Sequence, residues 1–433
     1  MRILLLGASG FIGSELARAL TASGHEVLGL GRDIAMSQRI LPAISWVSHD
    51  LRALQAPDDW APLLDDIEAV VNASGALQSG LRDNVEKVQW GAIRALIAAC
   101  VAHRLGHFVQ VSASNADANA ASDFMASKGL ADDYLAASGL SHTILRPGLV
   151  IGRNAFGGTE MLRISASFPG ILPKVSGAGP VHCVAMSDLV AGVIKAIEAS
   201  ASTQGSFDLV ARQAHSLGDV IHLHRDWLGF GPARWTVPVP AWLLASVAIC
   251  GDALGWLGWR SPLRSNSIAA LIHGVSGKAD ETLELLGREP LSLRETLSAL
   301  PAAGKADRWH ARTAMVFPLA LVCLFALWFA SGVLGIVRHA SAEAVLVNSG
   351  ISAVVSQKLV LACALVDLLL AVMLLLRRTA RLALIGMVAI SIGYLAGSLE
   401  VAPQLWLDPL TPMIKVLPAL ALALMCLGMV SER

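Results

Sequence analysis

A glycine-rich turn close to the start of the chain restricts its fold more than any other feature. The apolar run at residues 3–6 is typical of a buried parallel strand, and helical spacing resumes at residues 15–20. Between them, Gly7 lets the chain fold back sharply, Gly10 lets the backbone approach a pyrophosphate, and Gly13 lets the helix pack closely on the strand. Because a helix N-terminus offers unpaired N–H groups to an anion, the turn predicts a dinucleotide site.

The segments that follow the turn alternate between strand-like and helical patterns. Strand-like runs occur at residues 26–30, 44–47, 69–71, 108–111 and 143–145, and helical spacing occurs at residues 81–102 and 124–137. Such alternation predicts an α/β fold with a doubly wound parallel sheet. We expect the charges of the second helix, Lys128, Asp132 and Asp133, to lie on a largely solvated face. Residues 151–300 are less regular and predict a smaller lobe on the substrate side.

The composition indicates that part of the chain lies in lipid. Of its 433 residues, 55% are hydrophobic and only 15% are charged, which is unusual for a wholly soluble protein. The formal net charge is zero and no basic stripe is present, so nucleic acid is not an expected partner. Six scattered cysteines without a CxxC pair favour small buried hydrophobic residues over a disulfide framework or a metal site.

Four apolar segments near the C-terminus are long enough to cross a bilayer as helices. They lie at residues 315–337, about 352–376, 382–399 and 415–430. We therefore expect a dinucleotide-binding domain at 1–300, a linker at 301–312 and an all-α bundle of four transmembrane helices at 313–433. Basic residues precede the first span and separate the second from the third, so the positive-inside rule predicts a cytoplasmic N-terminal domain and C-terminus. The run after Met1 is too short for a secretory signal, which agrees with this orientation at the plasma (inner) membrane.

A further apolar segment at residues 240–259 is rich in tryptophan but contains Asp252 and three glycines. This pattern predicts a pair of amphipathic helices at the membrane surface rather than a span. A core helix of the second lobe is the alternative.

Arg32 follows the second strand, at the point where a dinucleotide fold meets the adenosine ribose. A guanidinium there pairs with the 2′-phosphate of NADP, whereas a carboxylate accepts from the 2′-hydroxyl of NAD. Asp33 is one residue further and leaves NAD open. The sequence therefore favours NADP(H) over NAD(H).

Polar residues also follow the third and fourth strands, and the resulting series resembles the extended and atypical short-chain dehydrogenase/reductases over residues 1–300. The resemblance implies that Asp50 contacts adenine, that the turn at residues 72–75 lines the cofactor cleft, and that the segment around Pro147 passes the nicotinamide. The expected cofactor-binding residues are then Gly7, Ser9, Gly10, Phe11, Ile12, Gly13, Arg32, Asp50, Asn72, Ala73, Ser74, Gly75, Lys128 and Pro147.

The catalytic pattern of that family departs from its usual form in this chain. The family uses a Tyr-x-x-x-Lys helix and a serine at the end of the preceding strand. Lys128 matches the lysine, and Ser114 matches the serine better than Ser112 does, but the tyrosine position holds Phe124. Phenylalanine has no proton to give, so the usual carbonyl reduction lacks its acid. In this family the lysine also bonds the nicotinamide ribose, so Lys128 keeps a use without catalysis. Tyr134 lies on another helix face and is expected to be structural.

The four-span tail resembles the DoxX-like domains that are sometimes fused behind such reductase domains. Asp367 lies in the middle of the second span, where a carboxyl group is costly unless it is bonded. We expect it to be neutral and to lock two helices, with a role in proton or quinone chemistry as the alternative. His339, Tyr394 and Glu400 are expected at the membrane interface.

Three functions remain open from the sequence. The first is a membrane-anchored NADP(H)-dependent oxidoreductase acting on an apolar or membrane-derived substrate. The second is a non-catalytic NADPH-binding protein in assembly or redox sensing, which Phe124 favours. The third is an NAD-dependent epimerase or dehydratase, which needs the same missing tyrosine. Beyond the cofactor and the bilayer, a membrane-protein partner or a homo-oligomer is left open.

Overall fold

The structure is a computed structural model that describes residues 1–75, 84–259, 264–409 and 411–431. It divides into two compact units. One comprises Met1–Asp252 and Ser261–Arg308, and the other comprises Ala253–Arg260 and Trp309–Arg433.

The first unit is built on seven parallel strands in the order β10-β6-β5-β4-β1-β2-β3. This order confirms the predicted doubly wound sheet, with its switch point between β1 and β4. The strands of the first unit, including five outside this sheet, are β1 Arg2–Leu6, β2 Glu26–Gly31, β3 Ser45–Ser48, β4 Ala69–Asn72, β5 His107–Val111, β6 His142–Pro147, β7 Leu149–Ile151, β8 Ile171–Val175, β9 Val181–Ala185, β10 Gly205–Leu209, β11 Ala214–His215 and β12 Trp235–Val239.

Helices cover both faces of this sheet and form a second lobe. Those of the first 300 residues are α1 Gly13–Ala22, α2 Ile34–Ile40, α3 Pro57–Leu64, α4 Ala92–Ala102, α5 Asp123–Ala137, α6 Gly158–Ala166, α7 Met186–Glu198, α8 Leu217–Trp227, α9 Ala241–Trp256, α10 Ser265–His273, α11 Ala279–Leu286 and α12 Leu293–Ala299. A π-helical turn, Glu86–Gly91, precedes α4. The helix predicted at residues 81–102 therefore begins in a segment that lies partly outside the described residues.

The central strands are apolar on both faces because each face packs against helices. Residues Ile3 and Leu5 of β1 contribute to one core cluster, and Leu4 and Leu6 contribute to the other. This explains the continuous apolar run in the sequence, which a sheet with one solvated face does not need.

The second lobe contains two small sheets, β11-β9-β7 and β12-β8. Its core joins α6, α8 and α12 through Leu162, Ile221 and Leu297. The prediction of a helix pair at residues 240–259 was wrong, because α9 is a single helix. Glycines are tolerated inside it, and the chain turns only at Gly258, whose φ is +89°.

The second unit contains the last residues of α9, most of α13 Lys305–Val337, and the helices α14 His339–Asn348, α15 Ala353–Leu375, α16 Ala380–Val401 and α17 Val416–Ser431. Among the described residues, α13, α15 and α16 are long and apolar enough to cross a membrane. The fourth predicted span corresponds to α17, whose 16 residues extend roughly 24 Å against a hydrocarbon core of about 30 Å. Four spans therefore stay a prediction.

The cysteines are not all buried as expected. Cys100, Cys183 and Cys426 are buried, but Cys250 and Cys323 are exposed on their helices. An exposed cysteine in an apolar helix is a small residue that is compatible with lipid. The polarity of the neighbouring sequence therefore did not distinguish buried cysteines from exposed ones.

Candidate functional site

The glycine turn is closed by direct backbone contacts. Gly7 has a φ of +72°, and a Cβ on it would lie 2.7 Å from the carbonyl oxygen of Ala73. A Cβ on Gly13 would lie 2.0 Å from the carbonyl oxygen of Gly7. These two positions therefore accept only glycine, for the steric reasons that the sequence indicated.

The outer side of the same turn is open. Ser9 and Gly10 are exposed, while Phe11 and Ile12 pack partly against the core. No side chain among the described residues caps the first turn of α1. A helix N-terminus in this state attracts an anion, so the turn fits the pyrophosphate of a dinucleotide.

The loop after β4 is held against the glycine turn by a buried amide. The Asn72 side chain donates to Oε1 of Gln110 at 2.8 Å, and its Oδ1 accepts from the Ser74 N–H at 3.0 Å and from the Ser74 hydroxyl at 2.6 Å. The Ala73 N–H donates to the Leu6 carbonyl at 3.1 Å. These bonds fix the backbone up to Gly75 at the switch point of the sheet.

Arg32 and Asp50 lie at the ends of β2 and β3. Arg32 is exposed, and its positive charge helps to lower the pKa of the Asp50 carboxyl. The larger cause is a side-chain hydrogen bond from Arg52, whose Nε lies 3.0 Å and 3.1 Å from the two carboxylate oxygens. Asp33 is used differently, because its carboxylate accepts from the Met36 N–H and caps α2.

Lys128 is buried on α5, one helical turn after Phe124. Its side chain is 6% exposed, and Nζ donates to the Val111 carbonyl at 2.9 Å. The same Nζ lies 5.9 Å from the centre of the Phe124 ring, one helical turn away. Burial lowers the pKa of Lys128 to about 8.

The two serines after β5 are both bonded to protein groups. The Ser112 hydroxyl donates to Oδ2 of Asp132 at 2.7 Å, and Nε of Arg146 reaches the same oxygen at 3.1 Å. The Ser114 hydroxyl donates to the Arg146 carbonyl at 3.2 Å. Burial raises the pKa of the Asp132 carboxyl, although its hydrogen bond from Ser112 and the charge of Arg146 act in the opposite direction.

The expectation that Lys128 and Asp132 are solvated was wrong, and only Asp133 is exposed. The two residues are one turn apart, so they share the face of α5 that packs on the sheet with Ala131 and Leu135. Their burial is sustained by mutual charge attraction and by Arg146. Sequence reasoning gave Asp132 and Gln110 no role, and the i, i+4 spacing from Lys128 was the signal that could have identified Asp132.

The carboxyl edge of the sheet thus brings most of the expected residues together. In register, Leu6 pairs with Asn72, Asn72 with Gln110, and Val111 with Leu145, so the segments that follow these strands are neighbours. The Ser114 N–H donates to the Pro147 carbonyl at 2.9 Å. The edge carries the open glycine turn, a buried lysine and two serines, a set that fits a dinucleotide and a substrate oxygen.

A separate polar cluster lies inside the second unit. The Asp367 carboxyl of α15 accepts from the Ser331 hydroxyl of α13 at 2.6 Å and from the Tyr394 hydroxyl of α16 at 3.1 Å. It therefore joins three helices rather than the expected two. The interfacial expectation for Tyr394 was wrong, because a bond to a buried acceptor in an apolar bundle outweighs the usual interfacial preference of tyrosine.

Known proteins match the two parts of the chain separately. Residues 7–169 match the NAD(P)H-binding family, and residues 325–424 match the DoxX-like family. A ceramide reductase of Caulobacter vibrioides is 25% identical over 284 residues, which cover 65% of this chain and 84% of that protein. A 3-diazoavenalumate denitrifying reductase of a Streptomyces species is 27% identical over 233 residues, covering 47% and 74% respectively.

Solved structures with a similar fold include sugar-nucleotide epimerases. Bordetella bronchiseptica WbmG in complex with NAD and UDP covers 73% of this chain and 97% of its own, with a TM-score of 0.54 and 16% identity. The UDP-glucuronic acid 4-epimerase of Bacillus cereus with NAD covers 73% and 100%, with a TM-score of 0.53 and 16% identity. At such identities the likeness concerns the fold alone. The chain thus has an NAD(P)H-binding domain with a Rossmann-like fold in its N-terminal part and a DoxX-like domain in its C-terminal part.

Proposed function

We propose that the protein is a membrane-anchored, NADPH-dependent reductase of a carbonyl group on an apolar substrate. The observation that carries this proposal is the buried Lys128, which is bonded to the end of β5 at the same carboxyl edge of the sheet as the open glycine turn, in a chain that also contains three long apolar helices. The ceramide reductase of Caulobacter vibrioides supports the substrate class, because ceramide is a lipid.

The choice of NADPH rests on the side chains after β2. The Arg32 side chain is exposed at the end of β2, and Oδ1 of the neighbouring Asp33 accepts the bond that caps α2. A guanidinium in this position pairs with a phosphate, and NADP(H) carries a 2′-phosphate that NAD(H) lacks.

Reduction of a carbonyl needs a hydride at carbon and a proton at oxygen. NADPH held at the glycine turn would supply the hydride, and NADP⁺ would remain as its oxidised form. Since Phe124 has no proton, we assign the proton to the Lys128 ammonium, directly or through water, and the orientation of the carbonyl oxygen to Ser114. Because the pKa of Lys128 is lowered to about 8, the group is protonated at neutral pH and is a stronger acid than an ordinary lysine.

The direct test uses the full chain in lipid nanodiscs. NADPH binding is measured by fluorescence, and NADPH oxidation is followed with a panel of long-chain aldehydes, ketones and quinones. We expect binding, and turnover with at least one apolar carbonyl. Binding without turnover on the whole panel would contradict the reductase proposal.

A non-catalytic role is the second candidate, and Phe124 is the observation that favours it. The photosystem II assembly factor Ycf39 of Trieres chinensis is 26% identical over 147 residues, covering 34% of this chain and 45% of that protein. In this case NADPH would stabilise an assembly or report redox state. The Lys128→Met variant distinguishes the two candidate functions. A reductase should oxidise NADPH and lose this turnover in the variant, whereas a non-catalytic protein should show no turnover in either form.

The membrane location is also part of the proposal. We infer that the protein lies in the plasma membrane with four spans and with both ends in the cytoplasm, since basic residues lie in the N-terminal part of α13 and around the turn between α15 and α16. A reporter fused after Arg433 should be active only on the cytoplasmic side. Activity on the other side would require three spans, with α17 outside the bilayer.

A further inference from the structure

An apolar cavity lies in the second lobe, away from the cofactor residues. Its volume is about 600 Å³, within the range of roughly 300–1,000 Å³ that is usual for small-ligand sites. The end of β8, the end of β12, one face of α9 and one face of α10 form its walls. The residues that line it are Val175, Ser176, Pro238, Val239, Pro240, Ala241, Leu244, Ala245, Ala248, Ser265, Ile268, Ala269 and Ile272.

The chemistry of this wall selects an apolar occupant. Among the described lining residues none is ionisable, and the two serines are the polar side chains. A ligand with several polar groups would lose its hydrogen bonds to water there without replacement. A hydrocarbon chain loses nothing comparable and gains from leaving water.

Helix α9 is apolar on two sides, which a helix packed on one core does not require. Leu244, Ala245 and Ala248 line the cavity. Trp242 and Ile249 lie away from Leu244 and Ala248, on the stripe that includes Ala245, and they are about two thirds exposed. A side rich in exposed tryptophan and isoleucine suits contact with lipid, so this wall separates the cavity from a surface that favours apolar molecules.

A short segment links the cavity to the candidate catalytic residues. Helix α10 lines the cavity up to Ile272, and the next residues pair with Asn115, which directly follows Ser114. The Asn115 amide donates to the Gly274 carbonyl at 3.3 Å, and the Ser276 hydroxyl donates to Oδ1 of Asn115 at 2.7 Å. The far wall of the cavity and the loop of Ser114 are therefore joined by two hydrogen bonds.

The segment after α10 is also held by the turn before β9. A Cβ on Gly274 would lie 2.6 Å from the Pro180 carbonyl oxygen, and the Gly179 N–H donates to the Ile272 carbonyl at 2.7 Å. The segment 272–276 is thus packed between the cavity, the turn before β9 and Asn115. The wall of the cavity formed by α10 therefore has a fixed position relative to the loop of Ser114.

We propose that the cavity binds the hydrocarbon tail of a lipid whose carbonyl group is reduced beside Ser114 and Lys128. The inference rests on the proposed reductase function and adds the part of the substrate that gives specificity. The tail supplies binding energy far from the reacting atoms, which holds the carbonyl in place for reaction.

The test is a chain-length series of saturated aldehydes, from butanal to hexadecanal, with the full chain in nanodiscs. We expect kcat/KM to rise about fourfold for each methylene until the cavity is full, which corresponds to about 0.8 kcal/mol for a buried methylene. The variant Ala245→Trp should flatten the series several carbons earlier while butanal reduction is unchanged. Ser246→Trp is the matched control, because Ser246 is exposed on the same helix and is not a lining residue.

Two further measurements keep the outcomes distinct. Ala269→Phe fills the cavity from the opposite wall, so it should repeat the effect if Ala245→Trp misfolds, with NADPH binding as the test of folding. If no aldehyde is reduced, the reductase proposal fails but photolabelling with a diazirine-bearing palmitic acid still tests the cavity. Labels on residues 238–248 and 265–272 that the filling variants remove support the site. The cavity proposal is overturned if the filling variants leave the chain-length dependence of kcat/KM unchanged, or if no label is found on residues 238–248 and 265–272.

Discussion

The cofactor side and the reaction side of the same cleft differ in what holds them. On the cofactor side, Gly7 and Gly13 are fixed by backbone contacts that no other residue tolerates, and the turn stays recognisable in sequence and in structure. On the reaction side, the backbone arrangement of β5 and α5 is kept, but Phe124 stands where a proton donor is expected. Binding geometry depends on the backbone shape that Gly7 and Gly13 permit, whereas the expected reactivity depends on one hydroxyl group that Phe124 lacks.

The Phe124→Tyr substitution tests this difference and should have the largest effect on the reaction rate. Returning a phenol hydroxyl one turn before Lys128 should raise reduction of small aldehydes on the order of 10²- to 10⁴-fold, the usual contribution of a general acid. The measurement is NADPH oxidation at saturating cofactor. Tyr134→Phe is the control, because Tyr134 packs edge-on against Trp90 on another face of α5 and should leave the rate unchanged. No gain in a folded, NADPH-bound Phe124→Tyr variant would contradict our placement of the site.

Gly13→Ala tests the cofactor side. The added Cβ would lie 2.0 Å from the Gly7 oxygen, and the backbone must move to admit it. Overpacking of this kind costs about 3 kcal/mol or more, so NADPH affinity should fall by over roughly 100-fold in a titration. Gly231→Ala is the matched control, since no atom lies within 4 Å of its Cβ position. Equal affinities for the two variants would remove the turn from the cofactor site.

Arg32→Ala tests which cofactor the site prefers. Loss of a charge-assisted bond to the 2′-phosphate should cost about 1.5–3 kcal/mol, or roughly 10- to 150-fold in the Kd of NADPH. The Kd of NADH should change by no more than about twofold. Equal losses for both cofactors would show that Arg32 does not bind the phosphate.

The pH dependence of NADPH binding should report Lys128, with a smaller effect. Since burial lowers its pKa from 10.5 to about 8, the ammonium is present below pH 8 and is lost as the pH rises through that value. Affinity should therefore be highest below the folded pKa and fall roughly threefold to tenfold above it, as a charged donor becomes a neutral one. Lys128→Met should give a flat profile. A midpoint near 10.5 would contradict burial of the amine.

The fold was largely predictable because its signals are local. An apolar run precedes the glycine turn, and strand-like and helical segments alternate after it. Each of these patterns reflects how one segment packs, so it can be read from that segment alone. The buried face of α5 was harder to predict. Two charged residues one turn apart are expected to be exposed to solvent unless a partner such as Arg146 is known. That partner lies on β6, at a distance in sequence that no periodicity reveals.

The membrane cluster shows the same limit. Asp367 alone predicted a bonded carboxyl, but its partners Ser331 and Tyr394 come from helices on either side of α15 in the sequence. Similarly, the cavity of the second lobe is built from four elements that carry no motif. Local patterns give the elements, and long-range pairing decides which side chains meet.

Hydride transfer to a lipid carbonyl tests the central claim most directly. The full chain in nanodiscs is given NADPH deuterated at the reactive carbon of its nicotinamide, together with hexadecanal, and the alcohol product is analysed by mass spectrometry. We predict one deuterium in the alcohol with wild-type protein and its loss with Lys128→Met. Tight NADPH binding with no deuterium in any product of the carbonyl panel would contradict the account and leave a cofactor-binding protein without reductase activity.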